Sequence, residues 1–248
     1  MKYRKDLKKK LNLYYLDLTN KTYKKGKLDL PELCCDLPVK PDYIALYTQP
    51  CFYRKTPYTC VAFYNYDDTF DGIFGLYNAI YYHLEDELLE FKNRFNGVKF
   101  FISPDYSLCG DVERAENIHR MMKTRIVSLW LTIELKAIVI PNISYSGRND
   151  FDSMLDGLEE VHYVAFSTKG AIREKNNREL LLEAVQVTVN KLKKLEGIIV
   201  YDVCKDNETV YKLFDYAVRK DIEIIIPENS LKKRNNILFQ ERAKVENL

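Results

Sequence analysis

The sequence predicts an α/β fold: a mostly parallel sheet with alternating helices, barrel-like or an incomplete barrel, with an open doubly wound sheet as the alternative. Three observations predict it. Seven short runs rich in Val, Ile, Phe and Ala recur, at residues 42–48, 60–66, 98–103, 137–143, 162–168, 197–203 and 222–228. Most are nearly continuous apolar runs, the pattern of strands covered on both faces. Longer segments with helical spacing lie between many of them, and such alternation implies right-handed crossovers into a parallel sheet. Seven strands favour barrel-like closure over an open sheet.

The elements follow in order. Residues 1–30 hold ten Lys/Arg against three Asp, a local +7 in a 248-residue chain whose net charge is only +2. This basic N-terminal arm, with Lys8, Lys9, Lys10, Lys24 and Lys25, is the candidate nucleic-acid contact, because cations track phosphates. Its tyrosines (Tyr3, Tyr14, Tyr15, Tyr23) suit base stacking, or equally packing of the arm onto the body. A connector at residues 31–41 carries Pro31, Pro38 and Pro41 and reads as extended chain. A single α/β domain spans 42–230. Its helical patterns cover 76–95, stopped by Asn96-Gly97; 112–135, with Asp111 as N-cap; 177–195; and 208–220, capped by Asp206 or Asn207. From Val98 the order is β-α-β-β-α-β-α-β, with the short segment Phe151 to Leu158 where one helix is expected. A basic tail, 231–248, closes the chain with Lys232, Lys233 and Arg234.

Composition narrows the function classes. Hydrophobic residues are 46% and charged residues 30% of the chain, which fits a folded globular protein and not a disordered one. No run approaches the roughly 20 apolar residues of a membrane span. The start MKYRKDLKKK lacks an apolar h-region, so the expectation is a cytoplasmic protein with reduced cysteines. Six Cys and three His show no C-x-x-C, H-x-x-x-H or H-E-x-x-H spacing, so no metal site is expected. No G-x-x-x-x-G-K-[ST], strand-borne G-x-G-x-x-G or G-x-S-x-G occurs, and no cofactor is indicated.

In parallel α/β folds ligands sit at the carboxyl ends of the strands. The residues just past each strand are therefore the candidates. ISPDYS puts Asp105 behind a backbone-fixing Pro104, which makes it the candidate general base. IPNISYSGRND supplies Asn142, Tyr145 and Arg148, the last suited to an anionic group through its planar fork. FSTKG supplies Ser167 and Gly170, VYD supplies Asp202, and IPEN supplies Glu228. Polar residues after strands also serve as turn formers and caps, so the group carries more weight than any member. The acidic cluster Asp67, Asp68 and Asp71 reads as a solvated turn.

At ISPDYSLCGDV, IPNISYSGRNDF, MLDGL and VAFSTKG the chain resembles the phage- and mobile-element-borne family catalogued as domain of unknown function 4417. The resemblance spans roughly residues 40–230. It is carried by Pro104, Asp105, Ser107, Arg125, Pro141, Asn142, Asp156, Ser167 and Gly170. Tyr145 stands where the family often has Trp, so no indole-specific role carries over. The resemblance implies a phage, plasmid or prophage setting and no established activity.

Three functional readings follow. The first is a polar strand-end pocket for a nucleotide or other phosphorylated small molecule: Asp105 polarises the ligand, Asn142 and Ser167 hydrogen-bond it, Arg148 meets its anion, and Asp202 or Glu228 stands second to Asp105 as base. The second is a replication accessory protein that binds nucleic acid through the arm. The third is a host-directed, anti-defence inhibitor that binds a host protein, consistent with nineteen tyrosines.

Overall fold

The segment expected to be a basic arm folds onto the body. The computed structural model describes residues 5–235. Helices α1 (Lys5–Lys10) and α2 (Leu16–Thr19) lead into an antiparallel pair, β1 (Lys24–Lys25) and β2 (Leu30–Pro31). Leu18, Thr19, Leu30 and Leu33 are buried, Tyr14 stacks on His83 at 4.7 Å, and Tyr15 stacks on Tyr81 at 5.8 Å. The tyrosines of the arm thus take the packing role. Beyond the hairpin the Pro-punctuated connector runs extended as expected, burying Leu33, Cys35 and Leu37 alternately with exposed Cys34, Asp36 and Pro38.

All seven apolar runs contain strand. Apart from the hairpin, every pairing is parallel. One sheet has five strands in the order β10-β3-β4-β5-β6, from β3 (Tyr43–Leu46), β4 (Thr59–Ala62), β5 (Phe100–Ile102), β6 (Ile138–Ile140) and β10 (Glu228–Asn229). The other has three, β7 (Tyr163–Ser167), β8 (Gly197–Tyr201) and β9 (Glu223–Ile225). The sheets meet at two seams. At one, Asn142 bridges Ala165 in parallel, and the Ala165 N–H donates to the Pro141 carbonyl at 2.7 Å. At the other, the chain leaves β9 through Ile226-Pro227 and enters β10, changing partner from β8 to β3. Pro227 has no N–H to give a ladder, so the single strand expected at 222–228 becomes two. The result is an incomplete barrel with interrupted pairing, not a closed one. Tyr64, just past β4, stacks on Tyr201 of β8 at 5.0 Å, so side chains from the two sheets fill the interior. Ile44, Val61, Phe101, Ile140, Val164 and Ile199 are fully buried. Each such side chain contributes roughly 1.5–3 kcal/mol of apolar burial.

Helices cover the outside: α3 (Asp67–Phe70), α4 (Leu76–Tyr82), α5 (Glu85–Arg94), α6 (Arg114–Leu135), α7 (Lys175–Lys191), α8 (Asn207–Leu213) and α9 (Asp215–Val218). Two differ in continuity from the sequence expectation. The helix expected at 76–95 breaks at His83, which adopts φ 56° with its ring against Tyr14. The one expected at 208–220 breaks at Phe214. Asp206 caps α8 by accepting from the Thr209 N–H at 2.8 Å. Glu113, not Asp111, precedes α6, and its side chain makes no cap bond. Residues 151–158 form turns, tied down where Arg125 donates to the Asp156 carbonyl at 3.0 Å. The hairpin clasps the same turns: the Leu33 N–H donates to the Gly157 carbonyl and the Leu28 N–H to the Asp156 carboxylate. Among the described residues no helix is long and apolar enough to cross a membrane. Most of the expected basic tail, residues 236–248, lies outside the described residues, as do Met1–Arg4 of the arm.

Candidate functional site

A cavity of about 390 Å³ opens over the first seam, at the carboxyl ends of β5, β6 and β7. Asp105, Asn142, Tyr145, Ser167 and Gly170 all line it. The local sequence explains the convergence. Ser103 directly follows β5, and its buried hydroxyl accepts the Asn142 N–H at 2.8 Å, which locks the two strand ends together. Pro104 then sets the direction of the chain, and Asp105 turns toward the neighbouring strand end. Its Oδ1 accepts from Asn142 Nδ2 at 2.8 Å and from the Ser144 hydroxyl at 2.9 Å. Asn142 Oδ1 in turn accepts from the Tyr64 hydroxyl at 2.7 Å. Asp105 Oδ2 takes no hydrogen bond from any described residue, which leaves one carboxylate oxygen for an occupant.

Electrostatics follow from that geometry. Burial raises the Asp105 carboxyl from its usual 3.8 to about 6; the Ser144 and Asn142 hydrogen bonds and Lys169 oppose the rise, and Asp67 adds to it. Lys169 donates to the Tyr64 carbonyl at 2.8 Å, and burial lowers its ammonium below the usual range against the pull of Asp105. Burial likewise raises the Tyr145 phenol. The site therefore offers a carboxyl that exchanges its proton near neutrality, an amide, hydroxyls and one cation. Such a set can bind a polar ligand and move a proton.

The surrounding loops are braced from outside. Asp67 accepts from the Ser107 N–H at 3.1 Å and its hydroxyl at 2.9 Å, and Arg120 spans Asp67 and the Ser107 carbonyl at 2.9 and 3.0 Å. Asp71 pairs with Lys123. The acidic cluster is thus partly structural, and not simply solvated. Asp150 accepts from the Ser146 N–H and hydroxyl, both at 2.6 Å.

The other candidates lie elsewhere. Arg148 is on the surface, its guanidinium forked onto Glu183 at 2.7 and 2.5 Å, and does not line the cavity. Asp202 is fully buried, accepts the Cys204 N–H at 2.7 Å and pairs with Lys232. That is a scaffolding role for β8 and the segment after β10. Glu228 is exposed and lines a separate cavity of about 370 Å³ with Asn207 and Lys232. In the arm, Lys8 pairs with Asp17 and Lys25 lies 3.8 Å from Glu32; Lys9, Lys10 and Lys24 are exposed. Sequence reasoning missed Ser144, Tyr64, Lys169 and Asn177 in this region. Ser144 carried a signal, two residues past Asn142 in an extended segment; Tyr64 and Asn177 carried none. Among the described residues no group of three or more His, Cys, Asp or Glu could hold a metal ion, and all six cysteines are free.

The fold and cavity define an α/β protein of incomplete parallel-barrel form with a polar recess at its strand ends. The chain belongs to the family described as Domain of unknown function (DUF4417), whose model matches residues 23–218. No curated protein and no solved structure matches the chain.

Proposed function

We propose that the recess binds a nucleotide or other phosphorylated small molecule, and that the chain serves as an accessory protein of a phage or mobile element. The observation that carries the binding reading is the Asp105–Asn142–Ser144 cluster, hydrogen-bonded within itself yet leaving Asp105 Oδ2 open to the cavity. Asn142 and Ser144 hold the carboxylate in one orientation, as a binding constellation requires. Lys169 takes the place of Arg148 as the cation for the ligand's anionic end. Should a bond be made or broken there, Asp105 is the group to move the proton. The mobile-element setting rests on the resemblance at ISPDYS, IPNISYSGRND and FSTKG.

The test is a binding panel of nucleoside mono-, di- and triphosphates and sugar phosphates by calorimetry, on wild type and Asp105→Asn. A ligand that binds wild type at least tenfold more tightly than the variant, with unchanged circular dichroism, supports the reading. Equal affinity for both proteins removes it.

A further inference from the structure

The strand-end face carries a second, larger cavity, of about 690 Å³, beside the first. Lys169 and Gly170 line both. It sits over the ends of β3, β7, β8 and β10, so the two cavities divide the barrel mouth between them. Their chemistry differs. The first holds the only carboxylate found in either lining, Asp105. The second holds Lys169, Arg173 and Arg234 and, among the described residues, no acidic one. Arg173 and Arg234 are exposed and make no ion pair among the described residues. Lys232, two residues before Arg234, is by contrast taken by Asp202. Between the cations the wall is largely apolar, made by Leu46, Ile172, Val203 and Leu231, with one polar contact where Gln49 Nε2 donates to the Ser230 hydroxyl at 2.8 Å.

Arg173 and Arg234 are unpaired, Lys169 faces only Asp105, and a concave surface in which cations outnumber counter-charge raises the local concentration of anions. A phosphate monoester carries about −1.5 to −2 at pH 7. Three cations exceed what one phosphate needs and suit two linked phosphates. We infer that the second cavity is the phosphate seat of a bipartite site, so that the ligand is an organic di- or triphosphate. Its phosphates lie against Arg173 and Arg234, Lys169 stands at the joint, and its polar head reaches the Asp105 cluster. Arginine suits the role because its planar fork matches phosphate oxygens. The inference rests on the proposed function for the head of the ligand and stands apart from it for the phosphates.

Inorganic pyrophosphate is the probe that separates the two. Calorimetry on the full chain at low salt should show pyrophosphate binding to wild type. The Arg173→Ala, Arg234→Ala double variant should bind at least tenfold more weakly, while Asp105→Asn, which removes a negative charge facing Lys169, should bind pyrophosphate no more weakly than wild type. Affinity should also fall as salt rises. Both arginines are exposed, so the variants should melt as wild type does; Arg173→Gln with Arg234→Gln repeats the test with smaller loss of packing. No binding to wild type, or equal binding to the double variant, overturns the inference. So does a single-stranded oligonucleotide that binds through the same arginines while pyrophosphate does not. If pyrophosphate follows the arginines but no organic ligand responds to Asp105→Asn, the phosphate seat stands and the proposed head-binding cavity falls.

Discussion

Ionising Asp105 works against the fold, and the size of that effect can be worked from its surroundings. The carboxyl titrates at about 6 in the folded chain, where burial disfavours the charge, and at its ordinary 3.8 when unfolded. Between those values the native state binds more protons than the unfolded state. Stability from this group is therefore full below about pH 4, falls as pH rises through 6, and stays lost above it. The full difference corresponds to on the order of 3 kcal/mol, and water in the open cavity reduces it to about 2. Asp105→Asn keeps the shape and can still accept from Ser144, but never ionises. About a third of the effect is already lost at pH 4.5, so relative to wild type the variant should gain roughly 3–5 °C in melting temperature on going from pH 4.5 to pH 8, given about 2–4 °C per kcal/mol for a chain of this size. Differential scanning calorimetry of both proteins across that range makes the comparison, and other titrating groups cancel in the difference. A wild-type-minus-variant difference that is flat with pH would show that Asp105 titrates alike in both states, and the account of the site's electrostatics would be wrong.

Two further outcomes concern the scaffold. Gly26 has φ +72°, and a Cβ there would lie 2.1 Å from Asp156 Cγ, so Gly26→Ala must push away the carboxylate that accepts from the Leu28 N–H. We expect a loss of about 2–3 kcal/mol by urea unfolding, from backbone strain and the broken hydrogen bond; a loss below 0.5 would refute the clasp. Lys232→Met leaves the fully buried Asp202 without its cation, which should cost about 3–5 kcal/mol at pH 7. The Asp202→Asn, Lys232→Met double variant should recover much of that loss, and failure to recover would show that the pair is not what holds this corner.

The strands were legible because each is a short apolar run, and the parallel arrangement followed from their alternation with helices. So was the meeting of Asp105, Asn142 and Ser167, since chain position past a strand fixes the end of the barrel at which a residue lies. What was not legible depended on partners distant in sequence. Arg148 read as an anion contact because of its planar fork, but Glu183, 35 positions on, takes that fork from α7. Lys169 did not stand out beside Ser167 and Gly170, because its partner, the carbonyl of Tyr64, lies 105 positions earlier. His83 sits in a segment with good helical spacing and no Gly or Pro to interrupt it; Tyr14, stacked on its ring, belongs to the N-terminal arm. The arm itself read as a nucleic-acid contact because its ten Lys/Arg dominate it, and its apolar residues are spaced too irregularly to announce a hairpin.

The parallel bridge between Asn142 and Ala165 has a mechanical side. It is the one ladder contact at that seam, and the same asparagine forms part of the recess wall. A molecule lodged against Asn142 would rivet the five-stranded half to the three-stranded half, so occupancy would register as slower amide exchange along the whole junction and not only at the residues touched.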